Sequence, residues 1–283
     1  MKVPEKQRCL KIAFYGKGGI GKSTVAANIS AALALQGVKT LHIGCDPKAD
    51  STRCLLGRKI PTVLQQLQAK QLGITRRDIV FSGFGGVECI EAGGPEAGIG
   101  CAGRGIITMM EELQYLEIWG EAWETVIYDV LGDVVCGGFS VPMREGYADT
   151  IYIVTSSEFM SVYAANNIMK AISRSQETRP VILGGLIHNC RNPESSRTAV
   201  EQFAMLTGTR VVADVPFSRE IAFSELEGKT VLEKFPDSKA ACYFKDLAVV
   251  ITEHQGYRPV KALEDDELEK FSHYMLKLEL GKG

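Results

Sequence analysis

Gly16 to Ser23 read GKGGIGKS, which fits the pattern G-x-x-x-x-G-K-[ST]. The apolar run LKIAFYG leads into it and the helical pattern KSTVAANISAALALQ leaves it. A strand that turns through glycines into a helix is the context that makes this motif a phosphate-binding P-loop. Gly16, Gly18, Gly19 and Gly21 let the backbone turn tightly, so that successive N–H groups point at phosphate oxygens. The helix N-terminus adds partial positive charge. In such a loop Lys22 reaches the β- and γ-phosphates and the Ser23 hydroxyl binds Mg²⁺.

This loop commits the chain to an α/β fold, and the rest of the sequence agrees. Further strand candidates are TLHIGCD, GVECIEA, ETVIYDV, DTIYIVT, VILGGLI and RVVADVP. Several are apolar nearly throughout, as strands covered on both faces are. Helical patterns such as FMSVYAANNIMKAIS lie between them. The alternation predicts one domain over residues 1–283, with a doubly wound, mainly parallel sheet and flanking helices. ALEDDELEKFSHYMLKLEL reads as a charged amphipathic helix, and residues 1–8 and 277–283 are expected to be loose tails.

Bulk composition narrows the function. The 283 residues are 45% hydrophobic and 23% charged, with a formal net charge of −2. That balance does not favour nucleic acid as a partner. No apolar run is long enough to span a membrane. The polar start MKVPEKQRCLK lacks the apolar segment of a secretory signal, so a cytoplasmic protein is expected. Its eight cysteines then read as thiols or metal ligands rather than disulfides.

Carboxylates follow two of the strands. Asp46 and Asp50 sit in GCDPKADST, and Asp129 and Asp133 in VIYDVLGD. Ligands of open α/β sheets bind beyond the carboxyl ends of strands. Four carboxylates there are placed to hold Mg²⁺ through waters and to orient an attacking water. Asp is also a common turn former, a reading that suits one of the four better than all of them.

Two cysteines lie in glycine-rich loops, Cys101 in GCAGRG and Cys136 in VVCGGF. A [4Fe–4S] cluster usually takes four thiolates, and one chain offers two in suitable loops. By spacing alone, two lone cysteines are a weak metal signal. Cys45 and Cys89 fall in strand runs, and Cys9, Cys54, Cys190 and Cys242 have no paired spacing. His42 and His188 also fall in strand runs and read as packing residues.

Lys17, an extra lysine inside the loop, resembles that of the deviant P-loop of dimeric ATPases, where it reaches the nucleotide of the other subunit. GKGGIGKS, GCDPKADSTR, GGPEAGIGCAGRG and YDVLGDVVCGGF together resemble the nitrogenase iron protein family. VTSSEFMSVYAANNI and VPFSREIAFSELEGKTV extend the resemblance over about residues 10 to 250.

The resemblance implies a homodimer with one [4Fe–4S] cluster between subunits, held by Cys101 and Cys136 of each. It implies MgATP at both subunits and transient docking on a larger nitrogenase-like catalytic component. Electrons would come from a low-potential donor such as ferredoxin or flavodoxin and leave one at a time, coupled to ATP hydrolysis. Lys17 is then the cross-subunit lysine, and Lys22, Ser23 and Thr24 bind phosphate and Mg²⁺. Asp46 is the water-activating carboxylate, with Asp133 a second candidate. Asp50 and Asp129 are switch residues near Mg²⁺. Asn189 matches an adenine contact, Glu225 a ribose-side contact, and Arg104 an arginine of the docking face that some members carry as a target of ADP-ribosylation.

The chain also departs from the family pattern. VPFSRE places Phe217 and Ser218 where Arg-Asp is common, and HNCRN brings in His188 and Cys190. The first change puts a carried-over nucleotide contact at Ser218 in doubt. IPTVL, GFSVPMRE and TVLEKFPDSKAA resemble nitrogenase-like reductases more than nitrogenase itself. Those include the partners of nickel-sirohydrochlorin diamide cyclase and methylthio-alkane reductase; the protochlorophyllide reductase subunit is a poorer match. The alternative is a deviant P-loop ATPase of the partition or cell-division-positioning kind. The cysteine pair opposes it, as does the acidic EDDELE tail where a membrane-positioning member needs a basic helix.

Overall fold

The computed structural model describes residues 9–70, 73–94, 102–132, 141–144, 146–192, 196–253, 256 and 258–281. Its strands are β1 Leu10–Tyr15, β2 Thr40–Gly44, β3 Phe81–Ser82, β4 Glu88–Glu91, β5 Thr125–Asp129, β6 Thr150–Thr155, β7 Ile182–Asn189 and β8 Val211–Val215. They form one sheet in the order β3-β4-β2-β5-β1-β6-β7-β8. Every pairing is parallel except β3 with β4. All seven strand candidates of the sequence are present. The two-residue β3 is the addition: it is too short to form an apolar run and exists through its antiparallel register, Phe81 opposite Cys89.

Side chains alternate across the sheet and feed two cores. Ala13, Tyr15, Leu41, Ile43, Val126 and Tyr128 face one way. There they meet Ile106 and Met109 of the helix Ala102–Tyr115 and Ile168 and Ile172 of the helix Phe159–Gln176. Ile12, Phe14 and Ile127 face the other way, onto helix α1 (Lys22–Leu35) and onto Phe244 and Leu247 of the helix Lys239–Thr252. Burial of one such side chain contributes roughly 1.5–3 kcal/mol. With both faces covered, β1, β2 and β5 can be apolar nearly throughout.

The acidic amphipathic segment is a helix, Asp265–Glu279, opened by a capping box between Glu264 and Glu267. It runs to Glu279, and Leu278 packs against the first core. Among the described residues no helix is long and apolar enough to cross a membrane.

The order β2-β5-β1 positions the site. It places the carboxyl ends of three central strands side by side, so the loops after Tyr15, Gly44 and Asp129 emerge together. Backbone bonds continue the ladder past the strand ends: Cys45 N–H donates to Asp129 O at 2.9 Å and Val130 N–H to Phe14 O at 3.0 Å.

Candidate functional site: a phosphate cradle at the sheet edge

The P-loop forms as the motif requires. Gly21 caps α1 with φ +92°, a left-handed conformation that favours glycine. A Cβ there would also strike the Asn189 amide. No side chain caps α1 and no acidic residue lies in its first turn. Among the described residues its leading N–H groups therefore meet no side-chain acceptor, as suits a helix end that binds an anion. Gly132, after β5, packs directly on the Gly16 carbonyl, where any side chain would collide. The β5 loop and the P-loop thus touch backbone to backbone.

A cleft of about 380 Å³ opens over this loop. It is lined by Lys17, Gly18, Gly19, Gly21, Lys22, Ser23 and Thr24 from the P-loop, and by Asp46 and Asp50 from the β2 loop. Glu225 closes another side, and its carboxylate accepts a hydrogen bond from Thr24 Oγ1. The residues present fit a bound nucleotide phosphate: a glycine turn, an uncapped helix end and two lysines share one cleft.

Lys22 and Asp129 form the buried centre beneath it. Lys22 Nζ lies 2.5 Å from Asp129 Oδ1, with the two side chains 6% and 0% exposed. Asp129 Oδ2 accepts from Ser51 Oγ at 2.5 Å. Burial pushes the Asp129 carboxyl up, but the Lys22 charge and hydrogen bonds from Lys22, Ser23 and Ser51 outweigh it and hold the group below its ordinary value. Asp129 is thus ionised and shut away, and only movement of Lys22 would open it to a cation.

Asp46 is 8% exposed and serves its own turn, accepting the Lys48 N–H on Oδ1 at 2.9 Å while lining the cleft. The turn-forming reading therefore describes Asp46 as well as the site reading does. Asp50 is exposed on the cleft wall. Asn189 faces the P-loop, with Nδ2 donating to Ile20 O at 2.6 Å. Ser218 caps the helix Arg219–Leu226, its Oγ accepting from Ile221 N–H. Arg104 is exposed on the first turn of the helix Ala102–Tyr115. Cys101, Asp133 and Cys136 lie outside the described residues.

Sequence reasoning passed over Lys48, Ser51, Arg53 and Arg191, which also line the cleft. Three of them stand inside GCDPKADSTR, so their signal was in view but unweighted. It also passed over Glu91, which is 0% exposed at the end of β4. Its Oε1 accepts the Thr52 N–H at 2.7 Å, tying β4 to the β2 loop, and its Oε2 has no hydrogen-bond partner among the described residues. Burial raises this carboxyl to about 8. Gly44 leaves room for it, since a Cβ there would meet the Glu91 carboxylate and, at 2.8 Å, Ser51 Cβ.

Cys45 and Cys89 are buried in the cores, where burial pushes both thiols far up. Cys54 lines the cleft with its thiol raised to about 11, mainly by burial. Among the described residues no group of three or more His, Cys, Asp or Glu is set to hold a metal.

Comparison with known proteins agrees with this geometry. In fold the chain is similar to the cell division ATPase MinD of Pyrococcus furiosus, with a TM-score of 0.67 at 21% identity over 85% of this chain and 98% of that one. A ParA family ATPase of Chlorobium tepidum gives 0.65 at 20% identity over 85% and 98%. These likenesses show a shared fold. In sequence the chain is 50% identical over 270 residues to a nitrogenase iron protein of Methanospirillum hungatei, covering 94% of this chain and 96% of that one. It is 47% identical to nitrogenase iron protein 2 of Methanothermobacter thermautotrophicus, covering 92% and 96%. Residues 10–277 match the family of 4Fe-4S iron sulfur cluster binding proteins, NifH/frxC family, and the chain belongs to that family.

Proposed function

We propose that this chain is an ATP-dependent electron donor. As a homodimer it would carry one [4Fe–4S] cluster and pass low-potential electrons to a nitrogenase or nitrogenase-like catalytic component. The observation that carries the electron-donor reading is the family match over residues 10–277, and the buried Lys22–Asp129 pair at the floor of the phosphate cradle supports its ATP-dependent part. Incoming phosphate competes with Asp129 for the Lys22 ammonium. With Lys22 turned to the phosphate, Asp129, the Ser23 hydroxyl and Asp50 would hold Mg²⁺, which would neutralise phosphate charge. Asp46, or Asp133, would orient the attacking water, while Asn189 and Glu225 would bound the nucleoside end. Lys17 would complete the partner subunit's site.

Asp129 ends β5, and the chain continues through Gly132, packed on the P-loop, towards Cys136. A change at Asp129 would therefore be transmitted along one short segment to a cluster ligand. Cys136 and Cys101 would hold the cluster, which when bound supplies the single electron. Arg104, three residues beyond Cys101 and exposed, would meet the catalytic component.

The test is anaerobic purification, iron and sulfide analysis per dimer, and EPR of the reduced protein with and without MgATP. About four iron per dimer, with a signal that shifts on MgATP, is the expected result. An iron-free dimer that hydrolyses ATP even after anaerobic cluster reconstitution would overturn the reading in favour of a partition-type ATPase.

A further inference from the structure

We propose that His42 is a positioning residue for the nucleotide cleft, orienting Asp129 through the hydroxyl of Ser51. The inference rests on the nucleotide-binding part of the function proposed above.

His42 stands in the middle of β2 and is 0% exposed. A buried imidazole needs partners for both ring nitrogens. His42 has two serine hydroxyls, one from each side. Nδ1 lies 2.8 Å from Ser30 Oγ on helix α1, and Nε2 lies 2.8 Å from Ser51 Oγ in the β2 loop. Ser51 Oγ in turn lies 2.5 Å from Asp129 Oδ2. A run of four side chains therefore leads from α1 to the carboxylate beneath the cleft.

Counting protons gives the run a direction. Burial lowers His42 to about 4, against an opposing pull from Asp129, so the ring is neutral and carries one N–H. Ser51 Oγ donates to Asp129 Oδ2 at 2.5 Å, so its single proton is committed there. Ser51 Oγ can then only accept from His42, which puts the ring proton on Nε2. Nδ1 is left to accept from the Ser30 hydroxyl. Ser30 Oγ also donates to Ala26 O at 2.9 Å, so its proton is shared between that carbonyl and Nδ1. From His42 the chain runs to Ser51 and on to Asp129, each member donating to the next, and polarisation along it strengthens each bond.

This matters at the moment Lys22 leaves. Asp129 then keeps a donor supplied from inside the fold, and Ser51 cannot rotate its hydroxyl away, because the His42 N–H holds its oxygen from behind. Ser51 lines the cleft, so the hold reaches the wall that MgATP would touch.

Selective ¹⁵N labelling of the four histidines reads the tautomer in the whole protein. A neutral His42 with its proton on Nε2 is expected. A proton on Nδ1, or an imidazolium, overturns the proposal. Calorimetry of MgATP then reads the consequence. His42→Leu should bind about tenfold more weakly, the size of effect that one hydrogen bond to a charged site produces. His42→Gln, whose amide nitrogen reaches the Nε2 position, should recover most of that loss. His42→Asn, whose amide stops near Nδ1, should not. Wild-type affinity in His42→Leu, or equal behaviour of the Gln and Asn variants, overturns the proposal. If the Leu variant does not fold, the Gln–Asn difference and the tautomer still decide. A wild-type chain that binds MgATP but carries no iron overturns the electron-donor function and leaves this proposal standing; one that binds no MgATP overturns both.

Discussion

Lys22 Nζ and Asp129 Oδ1 are 2.5 Å apart, joined across 107 positions of sequence and shut off from solvent. The pair couples the P-loop helix to the end of β5, and it is the element that a phosphate must break. Removing one partner of a buried pair leaves the other charge uncompensated, at about 3–5 kcal/mol. Ser51 and Ser23 still donate to Asp129, so Lys22→Ala should fall at the low end of that range. Urea unfolding measures the loss. The same variant should bind no MgATP and support no ATP-dependent electron delivery, while keeping the reduced cluster spectrum. ATP-coupled turnover at the normal rate would remove Lys22 from the phosphate site.

Glu91 sets a pH dependence of stability. Its folded value, about 8, lies above the ordinary 4.5. The folded state therefore takes up a proton across that window. The contribution is fully present below about 4.5 and is lost as pH rises through about 8, at up to about 1.4 kcal/mol per pH unit. Glu91→Gln keeps an acceptor for the Thr52 N–H and cannot ionise. Its unfolding free energy should be flatter than wild type between about pH 5 and about pH 8 and higher above that. Parallel slopes for the two proteins would show that Glu91 does not titrate in this way.

The cysteines should separate by iron content. Cys101→Ala or Cys136→Ala should yield protein without the cluster that still binds MgATP. Cys45→Ala and Cys89→Ala should keep their iron, because both thiols are buried with their proton affinity raised. Elemental analysis after anaerobic reconstitution checks this. Iron retained in the Cys101 variant would exclude it as a ligand.

Arg104 is exposed, so Arg104→Glu should change stability by no more than about 0.5 kcal/mol. Iron content and MgATP binding should match wild type. Partner-dependent turnover should fall, and increasingly so at low salt, where a reversed charge repels over a longer range. Equal turnover with the catalytic component at every ionic strength would take Arg104 out of the docking face.

Local chemistry made much of this molecule readable from sequence. The apolar runs that became β1, β2 and β5 need cover on both faces wherever they lie. GKGGIGKS forms its turn because Gly21 must take a positive φ before a helix, a constraint carried by adjacent residues. Chain order alone decided neither the pairing of side chains nor the value of a charge. Lys22 meets Asp129 because β5 lies beside β1 in the sheet, and His42 lies between Ser30 and Ser51 because α1 packs on β2. The packing expectation for His42 could not anticipate two hydroxyls brought from a helix and a loop. Glu91 reads as an ordinary acidic residue until burial leaves one of its oxygens unpartnered and raises its proton affinity. Propensity and turn geometry act over a few residues and are written in the sequence; desolvation and long-range hydrogen bonding depend on which strands become neighbours, and the tertiary structure alone decides that.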